Sequence, residues 1–192
     1  ASAPKGMEEE RRGVGGMLFY TKIVGSFFDS GGSIEEGIKL FERVRDNTRT
    51  LGVAITNCTH PVTGLPMFDL ADDEIELGMG VHGEGGTNRL KMMNSRELAE
   101  IMCQKLLEDL PYHSGDEVLV LVNGAGSMTM MEMNIFYADV HDVLIKNGIT
   151  PYRIKIGNYL TTQELSGLSL SFCKVDNEMK KWWETPCAVP FF

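Results

Sequence analysis

Hydrophobic positions along the chain fall into long stretches with helical spacing and short stretches with the spacing of strands. The first long stretch, "VGGMLFYTKIVGSFF" at 14–28, is mostly apolar all round. Such a stretch predicts a helix that is buried on most of its surface. The Gly31-Gly32 pair then ends this helix, because glycine readily adopts the backbone conformation found just after a helix.

A second helix is predicted directly after that glycine pair, because Ser33 and Glu36 form the S-x-x-E pattern of a capping box. The apolar positions that recur at helical spacing here are Ile34, Ile38, Phe41 and Val44. The charged positions expected to face water are Glu35, Glu42 and Arg43. We therefore expect two antiparallel helices within residues 14–50.

The composition of the sequence changes after Gly52, where glycine, proline and threonine separate short apolar runs. This composition predicts short strands and ordered loops, with a domain boundary near residues 48–52. The later predicted elements are a helix at 95–110, a strand at 117–123, a helix at 128–146, strands at 152–157 and 168–175, and a short helix at 177–183. The order strand, helix, strand predicts a right-handed βαβ unit. The predicted fold class is α/β, a mixed sheet with flanking helices.

The composition is typical of a globular protein that binds neither nucleic acid nor membrane. At 192 residues and 43% apolar content the chain can bury a core, and 18 Lys+Arg against 27 Asp+Glu give a net charge of −9. Phosphate contacts need clustered Lys and Arg, and no basic cluster is present. No apolar run approaches the roughly 18 residues of a membrane span. The polar start "ASAPKGMEEERRG" does not resemble a signal peptide.

The four cysteines stand at positions 58, 103, 173 and 187, without a C-x-x-C pair or the spacing of a metal site. Cys103 and Cys173 lie in apolar runs, which predicts buried free thiols and a reducing compartment, the cytoplasm. The chain begins without an initiator methionine. From this we expect a processed chain or half of a larger protein.

Two other stretches have simpler structural interpretations. "VNGAGSMT" at 122–129 matches neither the dinucleotide fingerprint nor a Walker A motif, so a tight strand-to-helix turn is favoured over a phosphate-binding loop. The acidic run contains Asp72, Asp73, Glu74 and Glu76. It is expected to form a solvated edge or turn, because a cation site needs more oxygen ligands at set spacing.

His82 is the strongest candidate for a functional residue. It lies in "ELGMGVHGEGG" at 76–86, where flanking glycines would let a small ligand approach the imidazole closely. A neutral imidazole near pH 7 can act as a nucleophile, a base or a metal ligand, and Glu84 could orient it. The alternative is a structural histidine in a glycine-rich turn.

The other histidines and the basic residues after the loop are weaker candidates. His60, His113 and His141 are expected to be structural or on the surface. Arg89 and Lys91 could meet a phosphate, but two solvated side chains are favoured. Metal binding at His82 is disfavoured, because no second His or Cys lies near it in sequence.

Three separated blocks of the sequence resemble one protein family. "GMGVHGEGG" at 78–86 resembles the G-x-G-[IV]-H-G-E-x-G signature of the dihydroxyacetone-binding subunit of dihydroxyacetone kinase, and the similarity reaches back to "NTRTLGVAITNC" at 47–58. The blocks "LVLVNGAGSMTMMEM" at 119–133 and "IGNYLTTQELSGLSLSFCKVDNEM" at 156–179 are similar to later segments of that family. The resemblance covers nearly the whole chain from Gly13 onwards.

The resemblance implies a covalent role for His82. In that family, Nε2 of the signature histidine adds to the ketone carbonyl of dihydroxyacetone, and the resulting hemiaminal is phosphorylated to dihydroxyacetone phosphate. Carried over, the catalytic residue is His82, and the substrate-binding residues are His82, Gly83 and Glu84, with Glu84 orienting the ring. Only a carbonyl compound forms this adduct, so short-chain ketoses would be separated from glycerol by reactivity rather than by shape.

The resemblance also implies that other parts of the enzyme lie elsewhere. No metal or cofactor is expected in this chain. In one form of the family ADP with Mg²⁺ lies on a separate subunit, which phosphotransferase-system proteins recharge, and in the ATP-dependent form the nucleotide domain is fused to the same chain. The family subunit is about twice as long, and its Gly-Gly-x-x-His stretch and acid–base Asp have no counterpart upstream of His82. The expected partners are dihydroxyacetone, an N-terminal half, the nucleotide-bearing subunit and further copies in a homo-oligomer.

On this interpretation the chain is the C-terminal half of a subunit, as a fragment or a split-gene product. Residues 1–48 would be the helical end of a first domain, residues 49–185 a second α/β domain carrying the His82 loop, and residues 186–192 a tail. Gly85 replaces the usual proline of the family and should loosen the loop.

Two related functions stay open: a ketose-binding co-activator without kinase activity, and a kinase for a four-carbon ketose such as erythrulose. Either would carry the same histidine loop. For a co-activator, the methionines could form a partner surface, although such methionines more often fill a core. They are Met128, Met130, Met131 and Met133.

Overall fold

A six-stranded mixed sheet lies at the centre of the computed structural model, which describes residues 1–86 and 88–189. The strands are β1 (Thr48–Ala54), β2 (Glu74–Leu77), β3 (Asn88–Lys91), β4 (Glu117–Gly124), β5 (Thr150–Gly157) and β6 (Gly167–Lys174). Their order across the sheet is β3-β2-β1-β6-β4-β5. Strands β4 and β5 pair in parallel and the other neighbours pair antiparallel, so the predicted mixed α/β sheet is confirmed.

Helices cover both faces of this sheet. They are α1 (Met17–Asp29), α2 (Ile34–Asp46), α3 (Ser95–Asp109), α4 (Met130–Lys146) and α5 (Asn177–Glu184). The sequence predicted each of them. Capping explains the sharp starts of α3 and α4, because Asn94 with Glu97 and Thr129 with Glu132 both form complete capping boxes.

Strand β4 shows why its sequence is a continuous apolar run. Val118, Val120 and Val122 belong to the core on the side of α3 and α4, whereas Leu119 and Leu121 belong to the core on the side of α1 and α5. Successive side chains of a strand point to opposite faces, so a strand covered on both faces must be apolar throughout.

Helix α1 packs directly on the sheet. Phe19 and Ile23 share a core with Leu119 and Leu121, and the ring of Phe19 lies 6.0 Å from that of Trp183 on α5. Residues 1–48 thus contribute to the same packed unit as the sheet. The assignment of this segment to the end of a preceding domain stays a prediction.

The apolar face predicted for α2 is wrong in three of its four positions. Ile34, Ile38 and Phe41 are exposed, and the buried residues are Gly37, Leu40 and Val44. The ring of Phe28 on α1 occupies the space beside Gly37, where a Cβ would lie 2.1 Å from it. The helices therefore meet through a glycine, which hydrophobic spacing alone does not indicate.

Strand β1 begins at Thr48, directly after the C-cap of α2 at Asn47. The domain boundary placed near residues 48–52 would lie within this strand, and it stays a prediction. Strand β3 was not predicted, because four residues with the sequence N-R-L-K carry almost no apolar pattern. Of the predicted tail, residues 190–192 lie outside the described residues.

The cysteines and methionines agree in part with their predicted environments. Cys103 and Cys173 are buried free thiols as predicted, and burial raises the pKa of each to about 12. Met128 and Met133 are buried, whereas Met130 and Met131 are exposed on α4. Across the described residues, none of the helices has the length and apolar character that crossing a membrane would require.

Candidate functional site

The loop that carries His82 connects β2 to β3 and passes over β1 at a glycine. The N–H of Gly78 donates to the carbonyl of Gly52 at 2.8 Å. The carbonyl oxygen of Met79 lies only 2.7 Å from the point that a Cβ on residue 52 would occupy. Glycine at this position in β1 therefore lets the loop cross close to the sheet.

A tight turn presents His82 to solvent. The N–H of Gly83 donates to the carbonyl of Gly80 at 3.2 Å, and Gly83 has φ +79°, a conformation that favours glycine. The His82 side chain is 83% exposed. The turn thus holds the imidazole outside the packed core, where a soluble ligand can reach it.

Glu84 makes two contacts with His82. One carboxylate oxygen, Oε1, lies 3.1 Å from the ring Nδ1, and the other, Oε2, accepts the backbone N–H of His82 at 2.9 Å. Gly80 makes room for this carboxylate, because a Cβ there would lie 2.2 Å from Oε2. The glycines around His82 therefore serve both the turn and the carboxylate.

This geometry determines which ring nitrogen can react. Partial burial raises the pKa of Glu84, but hydrogen bonds from the backbone and from His82 outweigh it and leave the pKa below its ordinary value. The carboxylate is then an acceptor at neutral pH, so Nδ1 of a neutral ring carries the proton. The Nε2 atom keeps its lone pair and is the nucleophilic position.

Thr162 contacts the same loop, although sequence reasoning gave it no role. Its hydroxyl donates to the carbonyl of Val81 at 2.6 Å, and its side chain is buried. The two residues are 81 positions apart in sequence. No local pattern could therefore have indicated the contact.

Glu76 corrects the interpretation of the acidic run as a solvated edge. Its side chain is buried at the end of β2, where Oε1 accepts the N–H of Gly86 at 2.5 Å. Arg89 and Lys91 are both exposed, as predicted, and Nε of Arg89 lies 3.6 Å from Glu76 Oε2. Lys91 pairs with exposed Asp73 at 2.8 Å. Glu76 thus joins the end of the His82 loop to its beginning.

The remaining candidates are either structural or lie on the surface. The "VNGAGSMT" segment forms a turn in which the N–H groups of Ala125 and Ser127 donate to Gly167 and Leu165, so these amides are not open to a phosphate. His60 Nδ1 accepts the N–H groups of Val62 and Thr63. His113 and His141 are exposed and lie beside acidic residues.

The described residues contain no group of three or more His, Cys, Asp or Glu side chains that could hold a metal ion. The structure brings His82, Gly83 and Glu84 together in one turn. It adds two buried side chains that contact the same loop, Thr162 at the carbonyl of Val81 and Glu76 at the N–H of Gly86.

Comparison with known proteins gives a family match over almost the whole chain. The Dak1 domain matches residues 1–191. The chain is 43% identical over 172 residues to the PTS-dependent dihydroxyacetone kinase 1, dihydroxyacetone-binding subunit DhaK, of Listeria innocua, with 90% of this chain and 52% of that protein covered. It is 32% identical to an L-erythrulose kinase of Pectobacterium atrosepticum, with 100% of this chain and 33% of that protein covered.

Solved structures give the same fold. The dihydroxyacetone kinase operon co-activator Dha-DhaQ superposes with a TM-score of 0.86 at 34% identity, over 91% of this chain and 54% of that chain. The chain therefore spans about half the length of the DhaK and DhaQ relatives that it matches.

Proposed function

The chain belongs to the Dak1 domain family, and we propose that it is the part of a dihydroxyacetone kinase that holds the ketose covalently on His82. One observation carries the proposal. The Glu84 carboxylate lies at Nδ1 of His82, which leaves the Nε2 lone pair of an exposed ring free to attack. The name of the Listeria innocua relative, a dihydroxyacetone-binding subunit, supports the choice of ligand.

The proposed step is an addition that needs no oxidant or second substrate. The Nε2 lone pair forms a bond to the ketone carbon, and the carbonyl π bond breaks toward oxygen. The Nδ1 proton passes to Glu84 or solvent, and the new alkoxide takes up a proton. The product is a neutral hemiaminal from which no water has been lost. Glycerol has no carbonyl group and cannot react.

The exposure of His82 supports a site that is completed by residues outside this chain. A small polar ketose would contact the imidazole but little else on such an open surface. The remaining walls are assigned to the part of the subunit that this chain does not span. The phosphoryl donor, ADP or ATP with Mg²⁺, is assigned to a separate subunit or a fused domain. The assembled enzyme would be a cytoplasmic homo-oligomer whose product is dihydroxyacetone phosphate.

Mass spectrometry under native conditions tests the covalent step on the assembled subunit. We expect the parent to gain the mass of one dihydroxyacetone with no loss of water, and to gain nothing from glycerol. The variant His82→Ala should gain nothing. The matched variant His113→Ala, at another exposed histidine, should behave as the parent. Uptake by His82→Ala equal to that of the parent would contradict the proposal.

Two alternatives are each favoured by one relative. The superposition with a co-activator favours a ketose-binding regulator without kinase activity. The similarity to an L-erythrulose kinase favours a four-carbon substrate. Phosphorylation assays with dihydroxyacetone and erythrulose separate the three. A regulator would form the adduct but no phosphate ester with any nucleotide-bearing subunit, and an erythrulose kinase would turn over the four-carbon ketose faster.

A further inference from the structure

The peptide group directly before His82 is held at both of its polar atoms. Its carbonyl, from Val81, accepts the hydroxyl of Thr162 at 2.6 Å. Its N–H, from His82, donates to Glu84 Oε2 at 2.9 Å. A peptide group is planar, so fixing both of its polar atoms fixes the plane in which the His82 Cα lies, and with it the point from which the side chain departs.

The two contacts differ in what they fix. Glu84 belongs to the same turn as His82, so it orders the turn internally but moves with it. Thr162 belongs to the connection between β5 and β6. The backbone of Thr162 is itself anchored, because its N–H donates to Ala125, just after β4, and its carbonyl accepts the N–H of Leu165. The Thr162 hydroxyl therefore ties the turn to the sheet.

We propose that Thr162 is a positioning residue for His82, which sets the imidazole at a fixed place relative to the sheet so that Nε2 meets the bound ketone. This inference rests on the proposed function for its chemical consequence. Its structural content, that the hydroxyl orders the turn, stands independently. A ring that must attack a carbonyl carbon gains rate and affinity from such pre-organisation.

Two substitutions at residue 162 separate the hydroxyl from the shape of the side chain. Thr162→Val keeps the volume and branching but removes the donor, so the Val81 carbonyl loses this hydrogen bond. Thr162→Ser keeps the donor and removes a methyl group. The matched control is Thr150→Val, the same change at an exposed residue at the start of β5.

Amide hydrogen exchange on this chain tests the ordering of the turn. We expect Thr162→Val to speed exchange at His82 and Gly83 by about tenfold, the effect of losing one partly buried hydrogen bond. Thr162→Ser and Thr150→Val should stay within about threefold of the parent. Parent-like exchange at both amides in Thr162→Val would overturn the inference, whatever the outcome for the ketose.

Adduct formation in the assembled subunit tests the consequence for binding. Thr162→Val should weaken dihydroxyacetone uptake by about tenfold, and Thr162→Ser should restore it. The rate at which diethyl pyrocarbonate modifies His82 should not change, because that reagent needs the lone pair but not its placement. Faster exchange in Thr162→Val with parent-like uptake would overturn the positioning role. Uptake by neither the parent nor any variant would contradict the proposed function and leave the exchange result to decide the ordering.

Discussion

The carboxylate two residues after His82 has a specific task at the scale of a single ring. Without the Glu84 carboxylate, a neutral imidazole would exchange between its two tautomers, and only the tautomer with the proton on Nδ1 offers Nε2 as a nucleophile. With Glu84 Oε1 at 3.1 Å from Nδ1, the form with a free Nε2 lone pair is favoured. Because the pKa of Glu84 lies below its ordinary value, the carboxylate stays charged throughout the neutral range.

Replacing Glu84 should lower the reactivity of His82 without moving the rest of the loop far. In Glu84→Gln the amide oxygen can still accept the Nδ1 proton, but the charge is lost, and we expect about a tenfold slower reaction with diethyl pyrocarbonate. Peptide mass spectrometry at pH 7 measures the rate at each histidine. His113 and His141 in the same chain are internal controls and should react at unchanged rates. An unchanged rate at His82 would show that the carboxylate does not activate the ring.

At the same scale, the sequence predicts contacts between residues that are close along the chain and does not predict contacts between residues that are far apart along it. The contact of Glu84 with His82 spans two positions and lies inside one quoted motif, so it could be predicted. The contact of Thr162 with Val81 spans 81 positions. It exists only because the loops that follow different strands meet at one end of the sheet. The burial of Glu76 was missed because its neighbours in the acidic run are exposed or half-buried.

At the scale of elements, the sequence predicts what depends on local periodicity and fails where a glycine changes the packing. Helices α3 and α4 and strand β4 follow from apolar spacing and capping, within two residues of their observed ends. The buried face of α2 does not, because Gly37 lets the Phe28 ring lie against the helix. Nor does the crossing of the His82 loop over β1, which depends on Gly52.

Two glycine-to-alanine substitutions test the crossing. In Gly52→Ala the new Cβ would lie 2.7 Å from the Met79 carbonyl, so the backbone must shift, and we expect about 1–3 kcal/mol of destabilisation with weaker ketose uptake. In Gly25→Ala, inside α1, nothing lies within 4 Å of the new Cβ. That substitution should stabilise the chain by about 0.5–1 kcal/mol. Urea unfolding measures both, and equal effects of the same sign would contradict the close approach.

At the scale of the whole molecule, a cluster of charges fastens the N-terminal segment to the rest. Arg11 makes two hydrogen bonds to Asp109, at the end of α3, at 2.8 and 2.7 Å. Arg49 on β1 lies 2.5 Å from the same carboxylate, whose side chain is 9% exposed. One buried carboxylate therefore joins the segment before α1, the first strand and a helix on the opposite face of the sheet.

This cluster should make stability depend on pH in one direction. Partial burial raises the pKa of Asp109. The hydrogen bonds and charge of Arg11, the charge of the N-terminal ammonium group and the charge of Arg49 outweigh this effect, so the folded pKa lies below the ordinary value of about 3.9. Its contribution to stability is then complete above that value and is lost as the pH falls through the folded pKa.

We expect Asp109→Asn to cost about 2 kcal/mol or more at pH 7, because two arginines lose a charged partner. The difference from the parent should shrink as the pH falls through the folded pKa of Asp109, because the parent carboxyl then becomes protonated as well. Urea unfolding of both proteins at several pH values gives the comparison. Asp73→Asn, which removes only the exposed partner of Lys91, should change little at any pH. A difference between Asp109→Asn and the parent that stays the same at every acidic pH where both proteins remain folded would show that the charge of Asp109 does not hold the segment in place.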